Sequence, residues 1–342
     1  MNFLVVVPSL SNQGPVKGAM ALIKILLKFN IDVELLVIKK TNNNKVELPD
    51  SVSVHYFHSM SFCKKLEFIL MNRFDHLFTS CFSADILSLF IRSRRKSTSV
   101  RADNFQNYSS DYGFLGYSLA LIHTLIFNFY SNIVVINPTL KNELKKFIFN
   151  DKKIYLIGNF IDEEKISIFK NVTKPSGKGN VNVYFLGNLI SRKRVDLLIK
   201  FAEVRNDVTI HIVGDGPLRS ELEFLVDDNK SNVIFHGSVA QPYDLISNFD
   251  VFVLPSLSEG VSRAMLESLY LGKPCLVRDV DSNSKIINNS NGIFFQDDND
   301  FNDCLNKLID NYLNDYYDLS KLLPKDYSFE NAMTKYKKII TE

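Results

Sequence analysis

The chain has 342 residues, 46% hydrophobic and 23% charged, with 14 Gly, 10 Pro, 4 Cys and no Trp. That composition excludes a collagen-like, disordered or disulfide-stapled protein, and the length suits two domains. Lys plus Arg number 40 against 38 Asp plus Glu, a net charge of +2, so no general field marks a nucleic-acid binder and any basic work has to be local.

In chain order, short apolar β-branched runs alternate with helical patterns. Strands are predicted at 3–7, 33–38, 52–57, 76–79, 98–102, 133–136 and 154–157, with helices at 15–28, 83–90, 113–130 and 138–149. Continuous rather than alternating apolar strands call for a parallel sheet covered by helices on both faces. The first run follows an N-terminus with neither a basic region nor a cleavage site, so no signal peptide is expected. Cys63, Cys81, Cys275 and Cys304 form no C-x-x-C pair, which suits a reducing cytoplasm. From 113 to 140 there is no charged residue, enough chain to cross a bilayer. Its His123, Asn128, Asn132, Asn137 and Pro138, and a break at Ser131-Asn132, favour instead a buried helix followed by a buried strand.

The stretch 170–180 is polar and carries Pro and two Gly, the composition of a linker. A second series of strands follows at 181–186, 208–213, 233–235, 251–254, 274–277 and 292–295, with helices near 192–204, 218–227, 243–248, 263–271 and 300–312. The expected layout is a first domain over 1–169, a second over 181–326 and a last helix over 327–342. In such α/β domains ligands bind outside the carboxyl ends of the strands, here facing a cleft between the domains.

The chemistry-bearing residues gather after those strands. Glu259 and Glu267 are eight positions apart in Pro255-Ser-Leu-Ser-Glu-Gly-Val-Ser-Arg-Ala-Met-Leu-Glu267. An all-helical rise of about 12 Å is too long for an acid/base pair of the glycoside-hydrolase kind, so the two would hold separate ends of a long ligand. The amides of Gly260, Val261 and Ser262 open a helix, where a phosphate is attracted. Arg192, Lys193 and Arg194 follow the 181–186 strand and would suit a diphosphate in place of a metal ion. Gly214-Asp-Gly-Pro217 needs a tight turn but fails the dinucleotide fingerprint, since Arg219 stands at its third glycine. Gly14 marks a similar turn after the first strand. The Asp279-Val-Asp281 pair reads as an ordinary turn, the 297–300 acidic run as a helix N-cap, and the six His show no metal-ligand spacing. No metal and no cofactor is called for.

Taken together, Gly187 to Asp196, Gly214-Asp-Gly-Pro217, Phe235-His-Gly237, Asp250 to Ser256, Ser258-Glu259-Gly260 through Glu267 and Gly272-Lys-Pro274 resemble, in order and spacing, the retaining GT-B-fold glycosyltransferases of the E-x7-E type, family 4. Ile157-Gly-Asn159-Phe-Ile-Asp162 and Tyr327-Ser-Phe329 extend the resemblance over the rest of the chain. It implies two Rossmann-like domains, a C-terminal helix crossing back to the first, and metal-free transfer of a sugar from a nucleotide diphosphate, a UDP- or GDP-sugar, with retained configuration. Glu259 would then contact the sugar, Glu267 the ribose hydroxyls, Lys193 the diphosphate, and the backbone at Gly237 and Ser238 the base. Asn188 stands where that family commonly has arginine, so Arg192 or Arg194 would supply the second cation. Arg101, with Asp103 close behind, stands where the family often has a histidine on the sugar and acceptor side, and Val261 replaces the usual Phe.

The expected function is therefore hexose or N-acetylhexosamine transfer to an acceptor hydroxyl, with a lipid-linked glycan of the bacterial surface as acceptor. A catalytically silent partner subunit and a nucleotide-sugar epimerase remain alternatives on the same residues. The segment 62–74, with Lys64, Lys65 and Arg73 among apolar residues, and the cluster Arg92, Arg94, Arg95 and Lys96 could rest on an anionic inner-membrane surface.

Overall fold

Five of the six residues of β1 (Asn2–Val7) are buried, as a central strand of a parallel sheet covered on both faces requires. The computed structural model describes residues 1–11, 14–41, 46–101, 104–170, 180–205, 207–226, 232–280, 283 and 285–341. After β1 come α1 (Gly14–Lys28), β2 (Asp32–Val37), β3 (Ser53–Tyr56), α2 (Phe62–Met71), β4 (Arg73–Thr79), α3 (Phe82–Phe90), β5 (Arg92–Val100), α4 (Asn104–Tyr112), α5 (Phe114–Ile126), β6 (Asn132–Val135), α6 (Pro138–Lys145) and β7 (Ile154–Leu156). The chain continues through α7 (Glu163–Ile166), β8 (Val181–Leu186), α8 (Asp196–Val204), β9 (Val208–Val213), α9 (Arg219–Phe224), β10 (Val233–Gly237), α10 (Tyr243–Ser247), β11 (Val251–Leu254), α11 (Arg263–Tyr270), β12 (Cys275–Arg278), β13 (Gly292–Phe295), α12 (Phe301–Leu313) and α13 (Phe329–Thr341).

Two compact units result, Met1–Gly158 with Ala332–Glu342, and Asn159–Asn331. The 171–179 part of the expected linker lies outside the described residues. The first sheet has the order β3-β2-β1-β4-β5-β6-β7 and the second β10-β9-β8-β11-β12-β13. All their pairings are parallel. In both, the chain starts at the centre and winds outward in two directions, which places a crevice at the carboxyl ends where the direction reverses. In the second unit that point lies between β8 and β11.

The second core is one cluster built on Tyr184, Phe185, Phe201, Phe252 and Phe301. In the first unit, Leu4, Leu36, Phe68, Phe74 and Leu77 form one cluster, and Phe127, Tyr130, Ile133 and Ile154 another. A polar group is enclosed between them. Asp85, 1% exposed, accepts from Thr79 Oγ1 at 2.5 Å, Thr98 Oγ1 at 2.8 Å and the Tyr130 hydroxyl, and pairs with His123 Nε2 at 2.8 Å. This satisfies a carboxylate that would be costly to bury alone. Tyr336 of α13 packs on Phe78, and Arg95 donates to the Ile340 carbonyl, so the end of the chain is part of the first unit.

The structure adds two elements to those expected and corrects one. Arg92, Arg94, Arg95 and Lys96 form the first half of β5, which starts six residues before the predicted strand and is in register with β4 from Arg73↔Arg92 onward. The polar helix α4 had no apolar stripe to announce it. The uncharged 113–130 segment is a helix, but buried on one side only. Gly116, Ala120, His123 and Thr124 face inward, whereas Phe114 is 89% exposed and Leu115 71%. Among the described residues no helix is long and apolar enough to cross a membrane.

Candidate functional site

At the carboxyl edge of the second sheet, four turns are stitched to one another by backbone hydrogen bonds. Gly187 N–H donates to Val213 at 3.0 Å, Leu189 to Asp215 at 3.0 Å, Gly214 to Gly237 at 2.8 Å and Leu257 to Arg192 at 2.9 Å. The turn after β9 needs glycine. Gly214 has φ +142°, and a Cβ there would stand 1.8 Å from the Gly187 carbonyl oxygen. This is the physical content of the Gly-Asp-Gly-Pro motif: it lets the turn after β9 lie directly on the turn after β8.

The β8 turn runs into a 3-10 turn, Ser191–Lys193, that ends on Arg194 in the left-handed conformation at φ +50°. It presents Arg192 and Lys193 to the loop after β11. There the Lys193 ammonium contacts Glu259 Oε1, and Arg192 Nη1 donates to the Ser258 carbonyl and lies 3.3 Å from the same carboxylate oxygen. The Lys193 and Glu259 side chains are only 13% and 12% exposed, a setting in which a charge pair is less screened than at an open surface. Two cations thus converge on one carboxylate beside the start of α11.

Arg194 does not join them. It forms a two-pronged pair with Asp196, both contacts 3.0 Å, and a further pair with Asp298 at 2.7 Å. Arg192 is the second cation beside Glu259. Asp298 also receives Arg278 Nη2 at 2.5 Å, while Arg278 Nε donates to the Pro255 carbonyl at 3.1 Å and the guanidinium covers the Phe295 ring. The acidic 297–300 run is therefore not the side-chain cap expected of it: Asp298 ties Arg194 to Arg278. Asp300 turns its carboxylate back to the amides of Gln296 and Asp297 and gives α12 no side-chain cap.

Around α11 the expectations are partly revised. The helix starts at Arg263, so only the second half of the Glu259 to Glu267 interval is helical and an all-helical rise does not describe it. The two carboxylates do have separate partners: Glu267 Oε1 accepts from the Tyr243 hydroxyl at 3.3 Å. Burial first, then the Glu267 charge, push the Tyr243 phenol well above its ordinary range. The Ser262 hydroxyl caps α11 by accepting from Met265 N–H at 3.4 Å, and its own amide is engaged, donating to Asn283 Oδ1 at 3.3 Å. Val261 puts its side chain in the core, 6% exposed, and its carbonyl accepts from Asn159 Nδ2 at 2.5 Å. Gly260 is half-buried, Gly237 is buried, and Asn188 and Ser238 are exposed on their turns.

In the first unit, Gly14 is the exposed first residue of α1, with open space where a Cβ would be. Arg101 follows β5, and its guanidinium rests on α1: a Cβ on Gly18 would be 2.1 Å from Nη2. Asp103 and Asp281 lie outside the described residues. Among the described residues, no group of three His, Cys, Asp or Glu could hold a metal ion.

The sequence reading missed Asn159, Tyr243, Asn283 and the Arg278–Asp298 pair as supports of this edge. A signal existed for one of them: Arg278 is a lone charge ending an apolar strand, which in a buried position demands a partner.

Residues 180–311 match the family model Glycosyl transferases group 1. The chain is 29% identical over 181 residues to the UDP-Gal:alpha-D-GlcNAc-diphosphoundecaprenol alpha-1,3-galactosyltransferase of Escherichia coli, covering 48% of this chain and 47% of that protein. It is 28% identical over 196 residues to the O-antigen biosynthesis glycosyltransferase WbnH of Escherichia coli, covering 56% and 57%. The chain thus spans about half the length of these curated relatives. Among solved structures, Alr3699/HepE of Anabaena, in complex with UDP and glucose, aligns over 100% of this chain and 99% of its own, with TM-score 0.77 and 14% identity. The chain therefore has the GT-B fold of this solved structure, and its residues 180–311 are similar to the glycosyl transferases group 1 family.

Proposed function

We propose that the protein is a retaining, metal-independent glycosyltransferase that moves a hexose or N-acetylhexosamine from a UDP- or GDP-sugar to the hydroxyl of a lipid-linked glycan. Its setting would be assembly of a bacterial surface polysaccharide, O-antigen or capsule, on the cytoplasmic side. The observation that carries this reading is the meeting of Lys193 and Arg192 on Glu259 at the carboxyl edge of the second sheet. A diphosphate brings more negative charge than one carboxylate, so it would draw the two cations to itself and leave Glu259 to accept from a sugar hydroxyl. In transfer, the bond from the anomeric carbon to the phosphate oxygen breaks and the negative charge grows on the leaving diphosphate, where fixed cations are worth most.

The remaining roles are those that the resemblance implies. Glu267 would take the ribose hydroxyls in place of, or together with, Tyr243. Gly260, Val261 and Ser262 would steer the sugar as a braced loop, the Asn283-bonded amide of Ser262 acting through position alone. Asn188, Gly237 and Ser238 would meet the nucleotide, and Gly14, Arg101 and Asp103 the sugar and acceptor. The relatives' names support a surface-polysaccharide setting, and one of them names a diphosphoundecaprenol acceptor.

The deciding experiment is thermal stabilisation by a panel of UDP-, GDP-, ADP- and dTDP-sugars with and without EDTA, since a ligand that binds only the folded state raises its melting temperature. An EDTA-insensitive shift that disappears in Lys193→Ala, followed by transfer with retained anomeric configuration by NMR, is expected. A flat panel sinks the donor site, and full activity of Lys193→Ala or Glu259→Ala sinks the role given to that residue.

A further inference from the structure

The first sheet reverses direction between β1 and β4, so the first unit has a crevice of its own at the carboxyl ends of these strands. Thr79 and Thr98 are paired across β4 and β5, and both turn to Asp85. By the alternation of a strand, the next residues, Ser80 and Ser99, stand side by side on the opposite face. That is the face on which Phe78 meets Tyr336 and Arg95 meets the Ile340 carbonyl. Arg101 is two positions beyond Ser99, and its guanidinium reaches α1 at Gly18.

Ser80 and Ser99 are 2% and 5% exposed, and neither hydroxyl meets a hydrogen-bond partner among the described residues. Buried hydroxyls in that state are rare and costly. Two of them side by side at a switch point of the sheet mark groups whose partner arrives with a ligand. The backbone is strained at the same place: Cys81, next to Ser80, has φ +143°, a conformation that clusters at ligand clamps. Gly14 opens α1 with open space where a Cβ would be, which leaves room at the mouth of the crevice. The guanidinium of Arg101 donates and never accepts, and with two hydroxyls beside it forms a donor set for anionic oxygens. Its single permanent charge and planar fork match a carboxylate, with one charge and two coplanar oxygens. A diphosphate carries more charge, and in the second unit it is two cations, Lys193 and Arg192, that converge.

We infer that the crevice of the first unit reads a sugar carboxylate: the substrate includes a hexuronic acid, and Ser80, Ser99 and Arg101 select it over a neutral hexose. The inference deepens the proposed transferase reading and rests on it for the sugar chemistry. The carboxylate belongs either to the donor sugar, as a hexose oxidised at C6, or to a uronic acid residue of the acceptor glycan. Its recognition at the crevice is the same in both cases. A neutral hydroxymethyl group in its place leaves the guanidinium without an anionic partner from the ligand, which is how a polar site rejects an analogue.

Binding is read from the melting temperature against ligand concentration for two pairs of probes: UDP-glucuronic acid against UDP-glucose, and methyl glucuronide against methyl glucoside with UDP present. A carboxylate on the donor makes UDP-glucuronic acid bind about 10- to 100-fold more tightly than UDP-glucose, the range for a charged hydrogen bond. A carboxylate on the acceptor gives methyl glucuronide the same advantage over methyl glucoside. Ser80→Ala with Ser99→Ala removes the preference and leaves the ligand-free melting temperature level or higher, because the hydroxyls it deletes were buried without partners. Arg101→Gln removes the preference as well, and it keeps the test open if the double variant unfolds. Any of three results overturns the inference. One is equal binding within both pairs. Another is a preference that survives both variants, which means a different site reads the carboxylate. The third is a double variant that melts lower without ligand, which means the two hydroxyls serve the fold. If UDP and both UDP-sugars leave the melting temperature unmoved, the donor site of the second unit fails separately, and the methyl glycoside pair measured without UDP decides this inference.

Discussion

Asn159 Nδ2 donates to the carbonyl of Val261 at 2.5 Å, tying the first residues of the second unit to the loop that carries Glu259. Val261 has its side chain in the core, so this bond and the packing fix the loop from opposite ends. Asn159→Ala removes one net hydrogen bond, about 0.5–1.5 kcal/mol, from a loop that donor binding is proposed to use. The expected result is a donor KM raised about three- to tenfold with a smaller change in kcat and a drop of a few degrees in Tm. An unchanged KM would mean that packing alone holds the loop.

The guanidinium of Arg101 occupies the space that a side chain on Gly18 would fill. Gly18→Ala must therefore push Arg101 away, while adding a better helix former inside α1. Stability and activity should separate: Tm stays level or rises, and turnover falls about 10- to 100-fold, the loss expected when one positioned charged hydrogen bond is removed. Arg101→Ala should match it. A fully active Gly18→Ala protein would show that the transfer proposed here does not use Arg101.

Much of the fold is legible because it rests on local patterns. Runs such as 181–186, 208–213 and 251–254 are continuous and β-branched, and they coincide with β8, β9 and β11. Lys193, Glu259 and Glu267 were visible as charges placed after such strands. The supports were not, because each depends on a long-range meeting: Asn159 with Val261, Tyr243 with Glu267, Arg278 with Asp298. The reading of 113–130 as a helix before a buried strand agrees with α5 and β6, but its full burial does not, for a related reason. Absence of charge shows that a helix can be buried, whereas which side is covered depends on its neighbours, here Asp85 of α3 on one side of His123.

Lys273 is buried, with its ammonium 2.7 Å from the Ser247 carbonyl. Burial, only partly offset by Asp250, lowers its pKa to about 8. The unfolded chain keeps the ordinary pKa near 10.4, so between about pH 8 and 10 the unfolded state binds more protons and stability rises with pH. That contribution is at most about 1.4 kcal/mol per pH unit. Denaturant unfolding at stepped pH checks it: the wild type should gain stability over this window relative to Lys273→Met, in which the difference is flattened. Parallel pH profiles for the two proteins would show that Lys273 is protonated alike in both states.

Asp298 joins Arg194, which closes the Arg192–Lys193 turn, to Arg278, which holds the Pro255 carbonyl before the Glu259 loop. Burial works against its carboxylate, but the hydrogen bonds of Arg278 and Arg194 outweigh it and keep the pKa below the ordinary value. A lowered carboxylate pKa stabilises the fold above the unfolded value near 3.9 and loses that effect as pH falls through the folded value. The contribution of the bridge should therefore begin to fall below the unfolded value of about 3.9 and be lost as the pH drops through the lower, folded one. Asp298→Asn removes the charge at every pH and leaves Arg278, 8% exposed, beside a neutral amide. Since Asp298 itself is 41% exposed, the cost at neutral pH is on the order of 1 kcal/mol rather than that of a fully buried pair. Urea titration at pH 7 and pH 3.5 should show the difference between wild type and Asp298→Asn at the higher pH and its narrowing at the lower. With a donor in hand, the same variant should bind it more weakly because the cation turn is no longer braced. A variant as stable as the wild type at pH 7 would reduce the bridge to an ordinary surface pair.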